Sequence, residues 1–305
     1  MNPKYGRYTE ARFFKEIDTE ENARNLVWKT RFDGKEFVCP QCKSGIFWQH
    51  AERPEIRECR SCHRQLRLRA GTIFQDSKTP ILVWVRAVFF VMEGKRGISA
   101  LELQRRLKMK SYGTAWRMLH KIREALRQRD ERYKLKNVIE LDGASFGKRE
   151  TGNQIEVLVA IESKDWVDER GRKKSKAGFA KVMIAPESKA KIQEFVDQAI
   201  QKNSLVNTDG KPGVMDIKGV DVDYQVMKND PVALDRWLPW VHKFISNAKV
   251  WLVGTHHGVE AKYLGQYLGE YTFRFNRRHD PDSLFHRALA ACANATPATS
   301  HALLR

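Results

Sequence analysis

Cysteine is scarce in this chain, five among 305 residues, which argues against a small secreted scaffold held by disulfides. No apolar run approaches the roughly 20 residues that span a bilayer. The opening MNPKYGRYTEARFFKE also lacks the charged-then-apolar pattern of a secretory signal. Acidic residues are in deficit as well: 37 Asp and Glu face 55 Lys and Arg, for a formal charge of +18. These shortages predict a cytoplasmic protein with no membrane partner. Its positive field suits a polyanion, above all a nucleic-acid backbone, with a merely soluble basic surface as the competing reading. What is abundant is apolar residue, 42% of the chain, enough at this length for more than one core and two or three domains.

Four of the five cysteines are paired. Cys39-Pro40-Gln41-Cys42 is followed after sixteen residues by Cys59-Arg60-Ser61-Cys62, and two such knuckles can close one tetrahedral, fully protein-ligated Zn²⁺ site of structural type. Disulfides or buried free thiols are the competing reading. A zinc ribbon is expected to close residues 1–78, after a helix from Arg12 to Trp28 and with a strand over Gln65 to Arg69. Cys292 stands alone and reads as a small apolar residue.

Residues 79–136 read as helical. Leu82, Val83, Val85, Val88, Phe89 and Met92 recur at helical spacing from Pro80 to Glu93. Ser99 is an N-cap signal for a helix from Ala100 to Leu107, and Ser111 to Thr114 separates it from another, Thr114 to Leu126. Helix, short turn, helix is the pattern of a helix-turn-helix DNA-binding region. Arg117, His120, Lys121 and Arg123 surround the stripe Ala115, Met118, Leu119 and Ile122, so they are expected on an outer, DNA-facing surface, a solvated basic face being the alternative. Arg127 to Lys136 reads as a linker.

From residue 137 the texture becomes β-rich. Val138 to Asp142 reads as an apolar strand ending in a carboxylate, with Ile155 to Ile161 and Phe179 to Ile184 as antiparallel neighbours and Lys164 to Lys176 as a charged hairpin insertion. Ser188 to Gln201 is an amphipathic helix, and a strand from Leu205 to Thr208 delivers Asp209. Three strands, a helix and a further strand is the order of an RNase H-like α/β fold, a mixed sheet flanked by helices in which the first and fourth strands are neighbours. Asp142 and Asp209 then come together as hard oxygen ligands suited to Mg²⁺. Each also precedes a glycine, so an ordinary strand-end turn competes with this reading.

The chain from about Phe14 to about Arg278 resembles a bacterial or archaeal insertion-sequence transposase of the ISXO-like, zinc-ribbon DDE group. The resemblance rests on CPQC and CRSC, AGTIFQDSKTPILVW, ISALELQRRL with TAWRMLHKIR, VIELDGASFG, NTDG, and SNAKVWLVGTHHGVEAKYLGQYLGEYTFRFNRR, in that order. It implies a DNA transposase that binds the ends of its own element and performs Mg²⁺-dependent strand cleavage and transfer, with Mn²⁺ as an alternative ion. Zinc is implied as the structural cofactor. The implied partner is double-stranded DNA, both terminal inverted repeats and target, engaged by a homo-oligomer at the prokaryotic nucleoid. The resemblance maps the first two acidic positions to Asp142 and Asp209, in a catalytic domain over 137–280 followed by a tail over 281–305.

This chain departs from the pattern at two points. Gly143 and Ala144 follow Asp142, where relatives often carry Glu and Thr. At the third acidic position, seven residues before a lysine, stands His242 ahead of Lys249; the family varies there between glutamate, asparagine and histidine. His242 is the preferred third residue because it shares a helical face with Lys249, and Asn247 is its competitor. Lys249 is expected to neutralise a phosphate, or to be a surface lysine, while Arg274, Arg277 and Arg278 suit phosphate binding. A degenerate, non-catalytic DNA-binding regulator and an RNase H-like nuclease are the competing functions.

Overall fold

Asp18 and Thr19 break the expected N-terminal helix in two, because each piece starts on its own threonine cap. In the computed structural model, which describes residues 8–147, 154–167, 173–211, 213–214, 216–226 and 236–297, Thr9 accepts the N–H of Arg12 at the start of α1 (Glu10–Glu16). Thr19 likewise accepts that of Asn22 at the start of α2 (Glu20–Arg31). The chain divides into two compact units, one of the described residues up to Arg129 and from Arg277 onward, the other Asp130–Asn276.

In the first unit β1 (Phe47–Gln49), β2 (Ile56–Cys59) and β3 (Gln65–Arg67) form a small antiparallel sheet in sequence order. Its core is little more than Phe37, Cys39 and Cys59, with Phe32, Phe47, Cys62 and Leu66 partly buried against them. α3 (Ile81–Glu93) follows, apolar almost throughout. Pro80 offers it no side-chain cap, and the Glu20 carboxylate instead accepts the N–H groups of Ile81 and Leu82, each at 2.8 Å. α4 (Ala100–Arg106), capped by Ser99, is separated by a short turn from α5 (Tyr112–Asp130). α5 therefore extends through part of the stretch expected as a linker.

The second unit is built on a five-stranded sheet. β4 (Val138–Phe146), β5 (Ile155–Val167) and β6 (Lys173–Ile184) are antiparallel; residues 168–172, the tip of the expected insertion, lie outside the described residues. After α6 (Lys189–Ala199), β7 (Leu205–Thr208) pairs parallel to β4, and β8 (Asp221–Tyr224) pairs parallel to β7. The order β6-β5-β4-β7-β8 is the RNase H-like order, with the first and fourth strands adjacent. Ile139, Leu141, Leu158 and Ala160 pack against Ile192, Phe195 and Val196 of α6. On the opposite face Phe146, Val157, Val159 and Ile161 pack against α7 (Pro239–His256) and α8 (Leu264–Asn276). β5 is thus buried on both faces, which explains its unbroken apolar run.

The last helix, α9 (Leu284–Asn294), packs against α2 and α3 and buries Phe285, Leu289 and Cys292. The segment expected as a tail therefore carries part of the first unit's core, and Cys292 is buried in it, as its reading as a small apolar residue expects. Among the described residues no helix is long and apolar enough to cross a membrane.

Candidate active site and metal centres

Strand β4 carries an alternation that sets the site. Glu140, buried two residues before Asp142, accepts the N–H groups of Trp240 at 2.7 Å and Val241 at 2.9 Å. The carboxylate thereby caps the first turn of α7, where orphan donors and the helix dipole favour negative charge. Burial nonetheless raises its pKa, with those two N–H groups acting in the opposite sense. Because the helix start is pinned to β4, the next residue, His242, reaches Asp142: Nε2 lies 3.3 Å from Oδ2. Asp142 is not at a strand end, as its run suggested. β4 continues to Phe146 in register with β5, whereas pairing to β7 stops at Glu140 and Asn207. Asp142 therefore sits where the sheet opens beside β7.

β7 ends on Thr208, whose carbonyl accepts the Trp237 indole N–H at 2.9 Å, and Asp209 follows. Gly210 adopts φ +75°, a left-handed turn that suits glycine and brings Lys211 back over the strand ends. Nζ of Lys211 lies 3.3 Å from Oδ1 of Asp142, 3.1 Å from Oδ2 of Asp209, and 3.0 and 3.2 Å from the carboxylate oxygens of Glu187. Glu187 comes from the turn between β6 and α6, its N–H bonded to Glu156 at 2.7 Å. Burial pushes the Asp142 carboxyl up, but the His242 bond, the Lys211 charge and the Gly143 N–H outweigh it and hold the pKa below the usual value. Glu187 is shifted the other way: burial raises it, Lys211 opposes that, and the charges of Asp142 and Asp209 add to the rise. Burial also works against the Lys211 charge, yet the three carboxylates win and raise its pKa.

The second unit has a counterpart among known families: residues 134–276 match the ISXO2-like transposase domain. This unit resembles a transposase domain. No curated protein and no solved structure matches the chain in the corresponding comparisons.

Of the residues expected to act in this unit, Asp142, Asp209 and His242 come together. Asn247 and Lys249 are exposed, Asn247 about 140° around α7 from His242 by helical geometry. Nζ of Lys249 lies 5.5 Å from the Phe146 ring centre, and its side chain lines a cavity of ≈ 890 Å³ with Phe146, Gln154 and Val253. Arg274 is half-buried on α8, where burial lowers its pKa; Arg277 and Arg278, just past the helix, are half-buried too. Glu187 and Lys211 escaped the sequence reading. Glu187 precedes the N-cap Ser188, a position where an acidic residue reads as helix-dipole chemistry, and Lys211 is one lysine among many.

In the first unit the four cysteine Sγ atoms all lie within 4.8 Å of one another, with Cys39 to Cys62 at 3.5 Å and Cys42 to Cys59 at 3.4 Å. Sulfurs about 2.3 Å from a tetrahedral zinc stand about 3.8 Å apart, so this cluster is compatible with structural zinc. The expected DNA face of α5 needs correction. Arg117 is exposed, but His120 and Arg123 are 0% and 1% exposed, and Lys121 is half-buried with Nζ 3.4 Å from the carbonyls of Ile73 and Gln75. Trp116, His120 and Arg123 lie together on one flank of the stripe, half-buried or buried, so α5 is covered over a wider arc than a surface helix and takes those side chains inside.

Proposed function

We propose that the chain is a DNA transposase that binds the ends of its own insertion sequence and catalyses divalent-metal-dependent strand cleavage and strand transfer. The observation that carries this reading is the meeting of Asp142 and Asp209 at one lysine, on neighbouring parallel strands of a domain that matches a transposase family. The donors suit a hard cation: carboxylate oxygens converge where an ammonium already sits, a point that stabilises positive charge. Asp142 and Asp209 would hold Mg²⁺ or Mn²⁺ there. Bound divalent ions supply Lewis-acid activation of an attacking water or DNA 3′-hydroxyl and stabilise the leaving oxygen.

The protein's own contribution is positioning. Glu140 fixes α7 and His242 holds one oxygen of Asp142, while Lys211 keeps the other until an ion takes its place. The first unit, with its zinc-compatible cluster, exposed Arg117 and the excess of basic residues, would supply the electrostatic grip on DNA ends and target. The test is a strand-transfer assay with oligonucleotides carrying the element's terminal repeats. Asp142→Asn and Asp209→Asn should each abolish cleavage and joining while leaving end binding nearly intact. Cleavage without joining by the unaltered protein would assign a nuclease instead, and full activity of Asp142→Asn would end the two-carboxylate mechanism.

A further inference from the structure

We infer that Glu187 is the third carboxylate ligand of the divalent-metal site, supplied by the turn between β6 and α6 rather than by the α7 position that His242 occupies. The inference rests on the transposase reading and adds a residue to it. Three observations converge. First, Lys211 contacts three carboxylates and not two, and its distances to Glu187, 3.0 and 3.2 Å, are as short as those to Asp142 and Asp209. Any cation that replaces the ammonium meets Glu187 in the same step. Second, the residue after Asp142 makes room for it. A Cβ on Gly143 would stand 2.7 Å from Cδ and from Oε2 of Glu187, closer than side chains approach, so the carboxylate rests on bare backbone. Third, α7 brings an imidazole to Asp142. An imidazole is a poor partner for Mg²⁺, which selects oxygen, so helix α7 leaves the carboxylate count short by one.

A purely structural glutamate at a helix start would be satisfied by its backbone donors. The Glu187 carboxylate instead lies over Gly143 and meets Lys211, which also contacts Asp142 and Asp209.

The test is Mn²⁺ titration of the full-length, zinc-loaded protein by calorimetry, with strand transfer measured in parallel. Glu187→Gln keeps the shape and removes the charge; it should weaken Mn²⁺ binding by about tenfold or more, as should Asp209→Asn, and depress strand transfer. Gly143→Ala tests the same placement without touching any carboxylate. The added methyl meets the far end of a flexible side chain, so the fold should survive while Mn²⁺ binding weakens in the same direction. Unchanged Mn²⁺ affinity in a folded Glu187→Gln, with Asp142→Asn and Asp209→Asn impaired, would overturn this inference and leave the transposase reading standing. Unchanged affinity and activity in all three would sink both.

Discussion

Nε2 of His242 lies 3.3 Å from Oδ2 of Asp142, while Lys211 reaches the other oxygen, Oδ1, at the same distance. The two contacts fix the carboxylate plane, and with Glu140 holding the helix that carries His242, the imidazole would act on Asp142 as a positioning group in the proposed reaction.

His242→Ala should therefore lower strand transfer by about tenfold to a hundredfold, the range found when a partner that orients a metal ligand is lost. His242→Gln, which keeps an N–H donor, should recover part of it. His242→Glu should do worse than His242→Gln, since it sets a second negative charge against Asp142. The reverse order, measured as rates on the same oligonucleotides, would show that position 242 takes the metal. Asn247→Ala, at an exposed position of α7, should stay within about twofold of the parent.

α5 separates charge from burial. Arg117→Ala, at an exposed position, should reduce the salt dependence of end binding by about one phosphate contact. Arg123→Ala removes a side chain only 1% exposed and should act on folding, costing about 2 kcal/mol or more in urea unfolding. If instead Arg123→Ala left stability unchanged and flattened the salt slope, the buried placement would be wrong.

The zinc-compatible cluster makes a sharper demand. Phe37, Cys39 and Cys59, with Phe32, Phe47, Cys62 and Leu66 partly buried against them, make a small core for three short strands, which a zinc held by the cysteines would stabilise. Cys42→Ser should release one zinc per chain and expose residues 37–68 to hydrogen exchange, while Mn²⁺ binding to the second unit persists. Retention of zinc by that variant would exclude the four-cysteine site.

Much of this was legible in the residue pattern. The apolar runs of β4 and β5, the amphipathic α6 and the strand leading to Asp209 fix the sheet order that makes Asp142 and Asp209 neighbours, because periodicity reports which faces are buried. Glu187 and Lys211 carry no such signal. Each lies in a turn, and only the fold shows that the β6–α6 turn and the turn after β7 open over the same strand edge. β8, reading Asp-Val-Asp-Tyr, is a polar edge strand with too little apolar character to announce itself. His120 and Arg123 were misread for the opposite reason: residue type suggests solvent, and the width of the buried arc around α5 depends on what packs against it.

Lys211 separates two roles that a lysine in a metal site can have. Its ammonium is the shared counter-charge of Asp142, Glu187 and Asp209, and it occupies the point where a divalent ion would be held, so lysine and ion compete. Lys211→Met should lower the melting temperature in the presence of chelator, because three carboxylates are left facing one another without compensation. The same variant should bind Mn²⁺ more tightly, since no ammonium has to leave. Binding stabilises the folded state in proportion to the logarithm of ligand concentration over Kd, so added Mn²⁺ should narrow the gap in melting temperature between Lys211→Met and the parent. Weaker Mn²⁺ binding by Lys211→Met would mean instead that the lysine helps assemble the carboxylates for the ion. A gap unaffected by Mn²⁺ would place the ion somewhere other than the convergence of these three side chains.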